Sequence, residues 1–110
     1  MISEREIESY FCTQIKKIKG LPFKFISPGN AGVPDRLVVL PKGLVVFVEL
    51  KAPGKKTRAL QDRQIARIEG LGHWVEVLDS FEAVDDFITR VKEEMQKNEV
   101  YTTQVSAILY

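Results

Sequence analysis

Two runs of β-branched and apolar residues, Arg36 to Leu40 and Leu44 to Lys51, stand on either side of Pro41-Lys42-Gly43. So short a connection between two such runs folds them back as an antiparallel hairpin. The turn then fixes a register. Centred on Lys42, it sets Leu40 against Leu44, Val38 against Val46, and Asp35 against Glu49. Directly opposed residues share a face, with Cβ atoms about 4.5–5.5 Å apart. Two acids so placed repel each other unless they share a cation, and the strand period of two brings Lys51 to the face of Glu49. Asp35, Glu49 and Lys51 therefore converge at one end of a hairpin that is otherwise Val, Leu and Phe. Oxygen donors of this kind suit Mg²⁺ or Mn²⁺ rather than Zn²⁺. The competing reading makes Glu49 and Lys51 ordinary edge-strand charges and Asp35 a turn residue after Pro34. A register slip of one residue would separate the two acids.

The rest of the chain arranges itself around this hairpin. Ser3 followed by Glu6 fits a capping box, and Ile7, Tyr10, Phe11, Ile15 and Ile18 recur at helical spacing until Gly20 and Pro22 end the helix. Glu4 and Glu8 fall on or beside that apolar stripe, whereas Glu6 points away. Phe23 to Ile26 reads as a short strand, and residues 27–35, with two Pro and two Gly, as a loop. After a basic loop at 52–56, Thr57 is placed to cap a helix to about Gly70, with Leu60, Ile65, Ile68 and Leu71 inward. His73 to Leu78 is a further strand, and a last helix runs from Phe81 to about Gln96 with Phe81, Val84, Phe87, Ile88, Val91 and Met95 inward. A strand, a crossover helix and a second strand make a βαβ unit with parallel strands. The expected fold is α/β, a mixed β-sheet flanked by helices in the order αβββαβα. Residues 1–97 form one domain, and 98–110 a tail of strand-like composition.

Composition narrows the function. Over 110 residues, 45% apolar and 28% charged, one packed core is within reach and wholesale disorder is not expected. The formal charge of +1 excludes a uniformly basic nucleic-acid coat. The charge is divided, however: residues 1–75 carry 13 Lys and Arg against 7 acids, and residues 76–110 carry 3 against 8. A polyanion would meet the first two-thirds. One cysteine, Cys12, and one histidine, His73, exclude a disulfide framework, a cysteine-based zinc cluster and a multi-histidine metal site. The N-terminus is charged rather than signal-like, and the run Leu44 to Val48 is too short to span a bilayer, so a cytoplasmic protein is expected.

Pro34-Asp35 followed by Glu49-Leu50-Lys51 resembles the PD-(D/E)xK nuclease signature. The wider pattern is similar to the VRR-Nuc family of that superfamily: Glu8 on a first helix, Gly32-Val33-Pro34-Asp35-Arg36, the strand Val46 to Lys51, then Leu60-Gln61 and Gly72. It covers about residues 4–90 and looks like the stand-alone form found in phages and bacteria, similar in organisation to archaeal Holliday-junction resolvases. The resemblance implies a restriction-endonuclease-like core and metal-dependent phosphodiester hydrolysis. Asp35, Glu49 and the carbonyl of Leu50 would ligate Mg²⁺ or Mn²⁺, and Glu8, or more weakly Glu4, would complete the site. Lys51 would position the attacking water or stabilise charge on the scissile phosphate, and Gln61 would hold that water or Lys51.

Lys51, Lys55, Lys56 and Arg58 place four positive charges in eight residues. Beside the proposed site they form a phosphate-binding loop; the alternative is a solvated one. Arg36 and Arg63 are counted with Lys55, Lys56 and Arg58 as DNA-contacting cations, although Arg63 and Arg67 read equally as an exposed helix face, and Lys16, Lys17 and Lys19 as dipole-complementing charges. No element reads bases, so structure-selective DNA cleavage is expected, Holliday-junction resolution first. A flap or nicking nuclease and a non-catalytic nucleic-acid-binding module are the alternatives. A branched substrate needs two matched cuts, which calls for a homodimer, with the tail as a possible clasp. Neither a membrane nor a nucleotide cofactor is expected.

Overall fold

The hairpin has the register that its turn dictates. In the computed structural model, which describes residues 1–109 and the side chains of residues 1–97, strand β2 (Arg36–Val39) pairs antiparallel with β3 (Val45–Leu50), Val38 against Val46 and Arg36 against Val48. Pro41–Gly43 forms a single 3-10 turn in which Lys42 and Gly43 take φ of 65° and 74°. Leu40 N–H donates to Leu44 O across it at 2.8 Å.

Strand β1 (Leu21–Lys24) lies antiparallel on β2, and β4 (Val75–Leu78) lies parallel on β3, giving the order β1-β2-β3-β4. Helix α1 (Glu4–Lys17) precedes the sheet, α2 (Ala59–Gly70) makes the β3-to-β4 crossover, and α3 (Phe81–Leu109) closes the chain. Ser3 caps α1 by accepting from Glu6 N–H. The mixed sheet and the βαβ unit are as the sequence predicts. Alternation along β2 and β3 sends Val38, Leu40, Val46, Val48 and Leu50 to one face. There they pack on Ile7, Phe11 and Ile15 of α1 and on Val84, Phe87 and Val91 of α3. A fully buried side chain of this size contributes about 1.5–3 kcal/mol, so this two-helix face is where the fold is held.

The opposite face is covered only in part. Helix α2 packs mainly on β4, leaving Leu21, Phe23, Val45 and Val77 between 42% and 52% exposed. This explains a departure from the predicted stripe of α2. Leu60 and Leu71 are exposed, and the buried residue of the helix is Gln64. Gln64 is satisfied by donating to Ala31 O at 3.2 Å and accepting from Arg67 at 3.2 Å.

Besides shifts of one or two residues at other strand ends, such as β4 starting at Val75 rather than His73, three boundaries differ from those read in the sequence. Strand β1 begins two residues earlier, at Leu21, because its pairing with Val39 starts there. Thr57 does not cap α2. Arg58 occupies the cap position, its N–H is accepted by Gln61 Oε1 at 2.9 Å, and the Thr57 hydroxyl bonds Asp62 instead. Helix α3 continues to Leu109, so the strand-like tail is helical as far as that residue: β-propensity is a weak preference that tertiary context overrides. The side chains of 98–110, and with them the proposed clasp, lie outside the described residues. Among the described residues no helix is long and apolar enough to cross a membrane.

Candidate active site

Asp35 ends the loop that leads into β2, and Glu49 lies near the end of β3, so the register alone brings them together. Asp35 N–H donates to Glu49 Oε1 at 3.3 Å, and Asp35 Oδ2 accepts from Leu50 N–H at 3.0 Å. Each acid is thus tied to the other's strand. Gly32 makes the approach possible: its φ is +90°, and a Cβ there would lie 2.9 Å from Leu60 O, so the loop presses against α2 where no side chain fits.

The second ring of contacts fixes the carboxylates. Glu49 Oε2 accepts from Gln61 Nε2 at 3.0 Å and sits 3.3 Å from Lys51 Nζ. Gln61 therefore serves two purposes, capping α2 through its oxygen and holding Glu49 through its nitrogen. Lys51 N–H donates to Leu78 O at 2.9 Å, so the strand is still paired with β4 where the lysine leaves it. Burial and the neighbouring Asp35 carboxylate push the Glu49 carboxyl up to about 7, and Lys51 opposes them only in part.

One atom in this arrangement lacks a partner. Asp35 Oδ1 is buried and accepts no hydrogen bond. A buried carboxylate oxygen left so is costly, and a cation shared with Glu49 would remove the cost. The donors fit a hard divalent ion: two carboxylates, and the carbonyl of Leu50, which in an extended strand points to the same edge as its N–H and hence toward Asp35. Among the described residues no three or more His, Cys, Asp or Glu side chains converge as a metal cluster. Any ion here would therefore complete its shell with water or substrate oxygens, as Mg²⁺ ordinarily does.

Glu8 reaches the same pocket from α1 and Glu4 lines its edge, the whole cavity having a volume of about 470 Å³. Glu8 Oε1 is held by Arg36 at 2.8 Å. Arg36 itself is 7% exposed and also donates to Pro22 O at 2.9 Å. This corrects the place expected of Arg36. Its guanidinium is committed to joining α1, β1 and β2, and it does not stand out as an exposed phosphate contact. The signal was present in the sequence, since strand alternation puts Arg36 on the core face with Val38 and Leu40, where an arginine needs a carboxylate. Lys55, Lys56 and Arg58 are exposed on the loop after Lys51, with Arg58 lining the pocket; Arg63 and Arg67 are exposed on α2. Lys24, Phe25 and Ile26 also line the pocket, which no spacing in the sequence indicates.

Comparison with known proteins bears on this geometry. No family model matches the chain. The chain is 52% identical over 80 residues to "Putative nuclease p44" of Acyrthosiphon pisum secondary endosymbiont phage 1, a match spanning 73% of this chain and 86% of that protein. A solved structure described as a VRR_NUC domain superposes with a TM-score of 0.74 at 34% identity, over 78% of this chain and 94% of the other.

The chain belongs to the VRR-Nuc family.

It is a nuclease domain of that family, and the α/β fold agrees with this membership. Within the VRR-Nuc domain, the structure brings Glu8, Asp35, Glu49, Lys51 and Gln61 to one pocket. Lys55 and Lys56 lie on the loop beyond it, and Arg63 stands on α2 outside it.

Proposed function

We propose that this VRR-Nuc domain is an endonuclease that hydrolyses phosphodiester bonds in structured DNA, with a four-way junction as its favoured substrate. The unpartnered, buried Oδ1 of Asp35 beside Glu49 carries the reading, because it supplies the reason for a divalent cation, Mg²⁺ or Mn²⁺, at this place. Asp35, Glu49 and the Leu50 carbonyl would hold the ion. Once bound, it would supply Lewis-acid polarisation of the scissile phosphate and an acidified water. The chain's own side chains do the rest. Lys51 presents its ammonium beside the carboxylates, where it can hold the attacking water or a phosphate oxygen. Gln61 keeps Glu49 from turning away. Glu8, restrained by Arg36 and lining the pocket, would complete or orient the ion's site. Lys55, Lys56, Arg58 and Arg63 meet the backbone, which fixes position without reading sequence.

Two symmetric cuts in a junction call for two such sites, and a C2 homodimer provides them. The half-exposed Leu21 and Val45, toward the hairpin turn, and Phe23, opposite Leu37, would give such a dimer an apolar surface. The enzyme would work in the cytoplasm of the cell that makes it.

A fluorescent four-way junction incubated with and without Mg²⁺ tests the reading. Cleavage at two symmetry-related positions only with the ion is expected, from a species near twice the chain's 12.5 kDa. Equal cleavage of junction, flap and nicked duplex would replace junction resolution by the looser nuclease. Binding without cleavage under any divalent ion would leave a nucleic-acid-binding module.

A further inference from the structure

Beside the catalytic pocket, and sharing Phe25 with it, lies a second cavity of about 290 Å³. Its aromatic part is Phe25 and Phe47, whose ring centroids are 5.8 Å apart at 61°, and His73 continues the series 6.2 Å beyond Phe47. Ile68 and Leu71 from the end of α2 form a wall, with Leu71 80% exposed at the mouth. Asn30 and Arg67 supply polar groups at the rim. Gln64 pins the loop to α2 by donating to Ala31 O, so the cavity is braced on both sides.

An open slot with aromatic and aliphatic walls and polar groups at its edge matches one chemical shape in a nucleic acid: the unpaired base, with apolar faces and a hydrogen-bonding rim. Its size is at the lower end of the roughly 300–1,000 Å³ of small-molecule sites, which suits one flat ring system. The charges lead the same way: Arg58 lines the catalytic pocket and Arg67 lines the cavity, so a cation stands at each of the two. We propose that this cavity is a subsite for an unpaired nucleobase close to the scissile phosphate, so that the enzyme selects DNA with an unstacked nucleotide at a branch, flap or bulge. The inference rests on the DNA-cleaving reading above and names what that site selects.

The test uses the full chain, Ca²⁺ in place of Mg²⁺, and two probes: a flapped duplex with 2-aminopurine at successive unpaired positions, and a fully paired nicked duplex. Wild type should quench 2-aminopurine at one position within a few nucleotides of the mapped cut. Leu71→Glu, at an exposed site, should abolish that quenching and weaken flap binding about tenfold while leaving the paired duplex within twofold. Leu71→Phe should retain both. Absence of quenching at every position, or equal loss on both probes, overturns the subsite while cutting of paired DNA in Mg²⁺ leaves the nuclease reading standing. A wild-type protein that neither binds nor cuts any DNA overturns both. If Leu71→Glu turns a dimer into a monomer, the cavity is the seat of a second copy, and the proposal fails.

Discussion

Asp35 and Glu49 restrain each other across the hairpin: Asp35 N–H donates to Glu49 Oε1 at 3.3 Å, while Asp35 Oδ2 accepts from the N–H of Leu50, next to Glu49, at 3.0 Å. The pair is positioned before any ligand arrives, and it is held in a state that is electrostatically unfavourable. Asp35→Asn should therefore stabilise the metal-free protein. The amide oxygen keeps the bond from Leu50, and its NH₂ can donate to Glu49. Relief of about 1–3 kcal/mol corresponds to a rise in Tm of several degrees for a domain of this size. The same variant should lose cleavage. A lower Tm measured by calorimetry would show that the pair is not strained.

The pH dependence follows from the raised carboxyl of Glu49. With its folded value near 7 and its ordinary value 4.5, the folded protein retains a proton that the unfolded chain releases between those limits. Metal-free stability should fall as pH rises through that window and level off above it. A divalent ion takes the place of the proton, so the Tm increase on adding Mn²⁺ should be larger at pH 8 than at pH 6, by thermal melts at fixed ionic strength. An increase that is equal at both values would place the ion elsewhere.

Lys51 and the loop lysines should separate chemistry from binding. Lys51→Ala should reduce single-turnover cleavage by at least about a hundredfold, the usual scale for an electrostatic group at a reacting centre, with junction affinity within a few-fold. Lys55→Ala combined with Lys56→Ala should instead weaken binding and lower the slope of log K against log salt by about 2. Turnover on saturated DNA should persist. Equal loss of affinity in both variants, with turnover intact, would remove Lys51 from the reaction.

Gln61 couples a helix cap to the Glu49 carboxylate, and the two effects can be told apart. Gln61→Glu keeps an oxygen for the Arg58 N–H but loses the amide donor to Glu49. The α2 cap should hold, while the third carboxylate beside Glu49 lowers metal-free stability by about 1–3 kcal/mol and changes divalent-ion affinity about 10- to 100-fold. Gln61→Ala, without that repulsion, should cost ~1 kcal/mol as the cap is lost. Isothermal titration with Mn²⁺ and a chemical melt read the two quantities. An unchanged ion affinity in Gln61→Glu would reduce Gln61 to a cap.

The amino-acid sequence determined what depends on near neighbours and strict periods. Pro41-Lys42-Gly43 fixed the hairpin register, and with it the meeting of Asp35, Glu49 and Lys51. The helical stripes of α1 and α3 named most of the core, and the crossover through α2 made β4 parallel to β3. Tertiary structure decided the rest, because it turns on which faces are covered. Helix α2 shields only part of its sheet face, so Leu60 and Leu71 stay exposed and Gln64 goes inside, against the apolar pattern. Arg36 meets Glu8 from 28 residues away, a partnership set by the packing of α1 against the sheet at β1 and β3. The cavity between the loop at 27–33 and α2 exists only once Gly32 has let the two backbones approach. Local sequence specifies periodicity and turn geometry; which side chain fills, pairs or leaves open a space depends on where separate elements come to rest.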